Sequence, residues 1–283
     1  MSVRPATADR SAAPRRPGLG RPVATLATVA ALILGLPVFV LVARAVLDGS
    51  LAATLGMQVV VDALVLSLVT TAVSLVLMVV VGTPLALLLA RHRFRGAVLL
   101  ETVIDLPIVL PPSVAGLALL LVFGRRGLLG GTLELAGIEL PFTMVAVIIA
   151  QTFVAAPFYI RSARTGFATV DHDLEDAARV DGATERQLFQ HVTVPLASTA
   201  LAAGLVMSWA RALGEFGATI MFAGSVQGRT QTLPLVVYGE FQAGNLDTSI
   251  AAAAILVLAA VGVLVAVRIL HWGRALDVRS VTG

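Results

Sequence analysis

Residues Thr169 to Pro195 read TVDHDLEDAARVDGATERQLFQHVTVP and separate two apolar runs, residues 141–160 and 196–221. The stretch is too polar to lie in hydrocarbon, yet its spacing predicts two short helices. Asp171 or Asp173 can cap the first, whose Leu174, Ala177 and Ala178 share a face at i, i+3 and i+4. Gly182 follows where a left-handed residue closes a helix. Thr184 can cap the second helix, with Gln187 three residues on completing a capping box. Leu188, Phe189 and Val192 form its apolar face, and Pro195 is expected to end it. A connector lying on a membrane surface would account for the helices but not for the small residues. An alanine face beside a glycine turn lets another protein's backbone come close, and Asp176, Asp181 and Glu185 can orient it.

Outward from this loop the chain is built for lipid. Of its 283 residues 58% are hydrophobic and 13% charged, against roughly 25% charged in a soluble domain. Six runs approach the ~20 apolar residues that span a bilayer: residues 23–43, 63–90, 107–123, 141–160, 196–221 and 249–270. The expected architecture is an all-α membrane protein with six transmembrane helices, in one unit over 23–270. A basic tail (1–22, with Arg4, Arg10, Arg15, Arg16 and Arg21) lacks apolar periodicity and is read as disordered. A short tail, 271–283, follows the last run. The first run exceeds the ~7–15 residues of a signal peptide's apolar region, so it is read as an uncleaved helix, although Ala43-Arg44-Ala45 resembles a cleavage site.

Arginine bias orients the bundle. With six alternating helices, fifteen arginines fall on the side of the termini and four (Arg44, Arg125, Arg126 and Arg229) on the other. The positive-inside rule then puts both termini in the cytoplasm. The same clusters beside apolar runs argue against nucleic acid as a partner. Cysteine is absent and the four histidines are scattered, so no disulfide, thiolate chemistry or metal site is expected, and no cofactor. No catalytic constellation and no phosphate-binding Gly-rich loop occurs. Uphill movement would need a partner or an ion gradient. A secondary transporter or channel would carry titratable groups along several helices, and an intramembrane enzyme would need a nucleophile with its base.

Two segments place unusual residues at membrane depth. In Leu106–Gly116 (LPIVLPPSVAG), Pro107, Pro111 and Pro112 cannot occupy a regular helix interior. The segment is either a kinked helix start or irregular backbone lining a wet path. In Trp209–Thr219 (WARALGEFGAT), Arg211 lies about 15 residues along the fifth run, or roughly 22 Å. Its cost there turns it toward the bundle interior or a cavity. Arg211 and Glu215, at i, i+4, form either a structural pair or a contact for a passing anion. Glu101 and Asp105 are expected to line a wet cytoplasmic face, a proton relay being the sharper alternative. The outer loop Phe222–Asp247, with Arg229, Glu240 and Asp247, is either a docking surface or merely solvated.

The loop resembles that of permeases of binding-protein-dependent ABC importers, whose pattern is E-A-A, three residues, G, nine residues, I-x-L-P. Here Asp176-Ala177-Ala178, Gly182 and Val192-Thr193-Val194-Pro195 keep every spacing, with Asp for Glu and Val for Ile and Leu. The resemblance implies the MetI-like type I importer fold. It also implies that this loop is a coupling helix, docked in a cytoplasmic ATPase through Asp176, Ala177, Ala178 and Gly182, with Glu185 and Pro195 in the same loop. The implied partners are a second copy of the chain, two ATPase subunits and an extracytoplasmic oxyanion-binding protein. The chain itself would hydrolyse nothing. The run RALGEFGATIMFAGSVQGRTQTLPLVVY (Arg211–Tyr238) is similar to molybdate permeases, with Ser225 where they usually carry Asn. That implies a multi-pass protein of the bacterial inner membrane that imports molybdate, or nearly isosteric tungstate, by alternating access. Sulfate is the runner-up, since sulfate permeases tend to a tyrosine at Phe216. A secondary anion transporter is the more distant alternative. Arg211, Glu215, Pro111 and Pro112 are the candidate path or gate residues.

Overall fold

The computed structural model describes the backbone of residues 21–280 and the side chains of 23–265. The expected tails, 1–22 and 271–283, lie outside the residues with described side chains. All regular structure among the described residues is helical: α1 (Arg21–Leu47), α2 (Ser50–Leu55), α3 (Gln58–Arg91), α4 (Ala97–Val109), α5 (Pro112–Phe123), α6 (Gly130–Leu135) and α7 (Met144–Ala168). Then come α8 (His172–Val180), α9 (Glu185–Leu188), a π-helical turn (Phe189–Thr193), α10 (Val194–Leu213), α11 (Gly217–Phe222), α12 (Leu233–Gln242) and α13 (Leu246–Ser280).

The centre is α7, packed between α3 and α10. Ala146, Ala150, Ala155, Ala163 and Gly166 on α7 are buried and small, which lets neighbouring backbones approach. Phe167, Met78 and Tyr159 fill the inner part of this core with Ala86 and Ala197. A second cluster joins α5, α7 and α11, and a third joins α3, α12 and α13. Leu26, Leu34 and Phe39 on α1 are widely exposed, as a helix facing hydrocarbon requires. Several hydroxyls and amides between α3 and its neighbours are paired, as a dry interior favours. Ser74 donates to the Ile148 carbonyl at 3.1 Å, Gln151 donates to the Thr71 hydroxyl at 3.4 Å, and the Leu233 N–H donates to Ser67 at 2.8 Å.

Three expectations change. Among the described residues five helices are long and apolar enough to cross a membrane, and α4 with α5 makes the sixth only as a pair bent by 119°. The run 107–123 is therefore not one helix. Pro107 falls in the last turn of α4, Pro111 takes an extended conformation (φ −54°, ψ 136°), and Pro112 opens α5. Without N–H groups the pair cannot carry a helix through, and Pro111 holds Leu110 in extended backbone. The run 196–221 is also broken, because α10 stops at Leu213 and α11 begins at Gly217. Finally, Pro195 does not end the second loop helix. It sits in the first turn of α10, and the preceding π turn, closed by the Val194 N–H on the Phe189 carbonyl, carries the chain from α9 into α10. The proline falls in the first turn of α10, where an N–H commonly lacks a partner within the helix, so its missing N–H costs little.

Candidate functional site

The loop between α7 and α10 is held by caps at the positions its spacing predicts. Asp171 caps α8 by accepting the Asp173 N–H at 3.0 Å. Gly182 takes φ +90°, and two 3.0 Å bonds, from Ala183 N–H to the Ala178 carbonyl and from Gly182 N–H to that of Arg179, complete a Schellman closure. Thr184 and Gln187 make the reciprocal capping box of α9. Arg179 then ties the two helices together, reaching Asp176 at 2.8 Å and Glu185 at 2.9 Å. Its hydrogen bonds to Glu185 and then Asp176 raise the Arg179 pKa, and Arg179 holds Glu185 below the ordinary carboxylate value. Of the three acids expected to orient a partner, Asp176 and Glu185 are thus engaged within the loop, yet each remains exposed to solvent.

The loop has one face turned inward and one outward. Leu188 is buried, and Phe189 lies against Phe167 with ring centroids 6.3 Å apart. Leu174 and Val180, by contrast, are 51% and 87% exposed, and Ala177 lies on the same open surface. Large apolar side chains left in water beside a rigid glycine turn make a small ready contact surface.

Behind that surface lies a cluster that spacing alone does not reveal. Glu175, 3% exposed, receives both guanidinium arms of Arg91 from the end of α3, at 2.6 and 2.7 Å. The Thr193 hydroxyl of the π turn donates to the same carboxylate at 2.7 Å, and Arg91 also meets the His172 ring at 2.9 Å. Arg91 is 84 positions from Glu175, so no local pattern could have paired them. Bidentate geometry makes such a pair directional as well as strong.

The second site lies where the broken helices meet. Arg211 Nη1 stands 2.6 Å from Glu215 Oε2, with Glu215 1% exposed and Arg211 28%. That oxygen has no aligned hydrogen bond, so the contact is charge against charge. The other oxygen of Glu215 accepts the Ala218 N–H at 2.7 Å and caps the first turn of α11. Glu215 lies past the end of α10, so the expected i, i+4 pair forms across a helix break rather than along one helix. The two breaks touch. A Cβ on Gly217 would come within 2.7 Å of Pro112, and one on Gly116 within 2.6 Å of the Ala218 carbonyl. The candidate path residues Pro112 and Glu215 are therefore close neighbours through Gly217, while Pro111 and Pro112 themselves remain exposed.

The two acids expected at a wet face are ion-paired. Glu101 and Asp105 on α4 meet Arg164 and Arg161 on α7 at 2.9 and 3.1 Å. In the outer loop Glu240 accepts from Asn245 at 2.9 Å, and Arg229 lines a cavity with Arg125, Glu139 and Phe142.

Residues 82–272 match the family described as "Binding-protein-dependent transport system inner membrane component". The chain belongs to this family. It is thus a multi-pass permease component of an ABC importer. A molybdenum transport system permease protein, ModB, of Mycobacterium tuberculosis is 45% identical over 205 residues, covering 72% of this chain and 77% of the relative. The sulfate transport system permease protein CysW of Synechocystis is 37% identical over 210 residues, 74% of this chain and 76% of its own. Among solved structures, a bacterial ABC transporter that imports the polysaccharide alginate superposes with a TM-score of 0.69 at 17% identity, over 89% of this chain and 94% of that one. The MetNI methionine transporter gives 0.58 at 21% identity, over 76% and 95%. These likenesses give the fold, the MetI-like importer permease. The Asp176–Gly182 element lies within the matched region, and the residues beside it that spacing did not bring together are Arg91, Glu175 and Thr193.

Proposed function

We propose that this permease carries molybdate into a bacterial cell across the inner membrane, by alternating access driven from outside its own chain. Two copies would enclose the path, because one protomer offers too little wall for a gated pore. Two cytoplasmic ATPase subunits would grip the α8 surface at Asp176, Ala177, Ala178 and Gly182, with Glu185 held beside them and Pro195 at the root of α10. An extracytoplasmic oxyanion-binding protein would deliver the cargo to the outer face. Both termini would be cytoplasmic. The observation that carries this reading is the continuity of α9, the π turn and α10. A displacement imposed on the loop reaches Arg211 and the Glu215 break along one rigid element, whereas a flexible loop would absorb it. Arg211, Glu215, Pro111 and Pro112 would form the gate or the path beside it, with Arg211 supplying the positive charge a dianion needs. Relatives named for molybdenum support the cargo, and a relative named for sulfate keeps sulfate as the second reading.

The test is competitive uptake by the permease reconstituted with its ATPase and binding protein. Labelled molybdate uptake should be suppressed by equimolar tungstate and persist in equimolar sulfate. Equal suppression by sulfate would move the assignment to a sulfate permease, and uptake without ATP would point to a secondary transporter.

A further inference from the structure

Besides the helix that follows it and the packing of Phe189 on Phe167, the loop is fastened to the bundle through a buried carboxylate. Glu175 is buried, yet three side chains converge on its carboxylate: Arg91 through both arms, Thr193 at 2.7 Å, and His172 at 3.7 Å. Arg91 ends α3, and Thr193 belongs to the π turn feeding α10. One carboxylate therefore joins the loop to the two helices that flank α7. Around this junction α3 and the loop share one core cluster on one side and leave a cleft on the other. Between them opens a cleft of about 650 Å³ whose walls include Pro84, Leu87, Leu88, Leu188 and Phe189. The ion pair lies on the wall of this cleft rather than inside the apolar core. Replacing a buried bidentate pair by apolar packing is often neutral or stabilising, so such a pair is better suited to fixing register than to adding stability.

We infer that the Arg91–Glu175 pair is a second transmission point, through which motion of the loop drives α3 together with α10. This rests on the proposed coupling role of the loop and deepens it by naming positioning residues outside the ATPase contact surface. With the clamp closed, a pull on α8 moves both flanks of α7 as one body. With it open, α10 alone follows, and the bundle opens incompletely while the motor continues to cycle. Arg91 and Glu175 act through the helices they hold and need not touch the cargo.

The experiment measures ATP hydrolysed per oxyanion imported, in proteoliposomes holding the permease, its ATPase and its binding protein. Arg91→Gln and Glu175→Gln should each depress uptake far more than hydrolysis, raising that ratio at least several-fold. Arg91→Lys, which keeps the charge but loses the fork, should fall between. The chain has no cysteine, so Arg91→Cys with Glu175→Cys can be tested with a reducible bifunctional thiol reagent. Bridging the two thiols should return the ratio toward that of the unsubstituted complex, and reduction should raise it again. Parallel loss of uptake and hydrolysis, with no recovery on bridging, would reduce the clamp to a folding contact and overturn the inference. An unchanged ratio in both single variants would overturn it too. Failure of the coupling role itself would appear differently, as unsubstituted permease that imports without ATP.

Discussion

The α8–α9 loop and the broken helices at the far end of the bundle organise themselves by opposite means. Between Asp171 and Thr193 nearly every turn is fixed by a neighbour in sequence: a cap, a glycine closure, a reciprocal box, a salt bridge from Arg179. Between Pro111 and Ala218 the shape is fixed by what is missing. Two prolines withhold N–H groups, and two glycines withhold side chains so that backbones 100 positions apart can touch. The first region can keep its form while another protein pulls on it. The second holds its form only while α5 and α11 stay pressed together, which suits a segment that must change state. A lever and a gate call for these two kinds of construction.

Substitutions separate the two kinds. The largest effect is expected from Gly182→Pro. Proline fixes φ near −65° where the loop needs +90°, so the Schellman closure is lost. ATP-dependent uptake should disappear while the protein still inserts in the membrane, read by uptake and by membrane fractionation. Next is Gly116→Val, whose side chain would drive into the Ala218 carbonyl and the Met221 side chain. Overpacking there should cost about 1–3 kcal/mol, lowering the thermal midpoint of the purified permease and slowing transport while ATPase binding persists.

Arg211→Ala comes third. It leaves the buried Glu215 carboxylate without its counter-charge, a loss of order 3 kcal/mol for a fully desolvated pair and less here because Arg211 is partly open and the Ala218 N–H still donates to Glu215. Oxyanion uptake should fall more than ATPase association. If Arg211→Ala with Glu215→Ala restores both stability and uptake, the pair is structural and the path lies elsewhere. Thr184→Ala, which removes one half of a capping box, should cost about 1 kcal/mol, seen as faster hydrogen exchange over α9 alone. The smallest effect concerns pH. Glu185 has a lowered pKa in the fold, so its contribution is present above the ordinary carboxylate value of 4.5 and fades only as pH falls through the lower folded one. Loop exchange rates should therefore not change between pH 6 and 8 because of this pair, and should rise in acid.

The same contrast explains what the sequence made legible. Residues 171–187 could be read almost in full, because caps and Schellman closures are contracts between residues a few positions apart. The helical runs were legible for the same reason that lipid selects them, by length and apolarity. The bend at Pro111 was foreseen as irregular backbone, but its 119° angle was not, since the angle depends on Gly217 and Ala218 approaching from far along the chain. Pro195 was misread because a proline breaks a helix from its interior, and here it falls in the first turn of α10. Arg91 and Glu175 escaped notice since a charge cluster at a helix end looks alike whether it faces lipid headgroups or a buried acid.

The most direct test uses a single cysteine at Val180, the most exposed large apolar side chain of the loop. Membrane vesicles of known orientation are treated with an impermeant thiol reagent, with and without the ATPase subunit. The account predicts labelling only from the cytoplasmic side, and protection when the ATPase is bound. Labelling from the opposite side, or full reactivity in the assembled complex, would contradict the claim that this loop is where the motor takes hold.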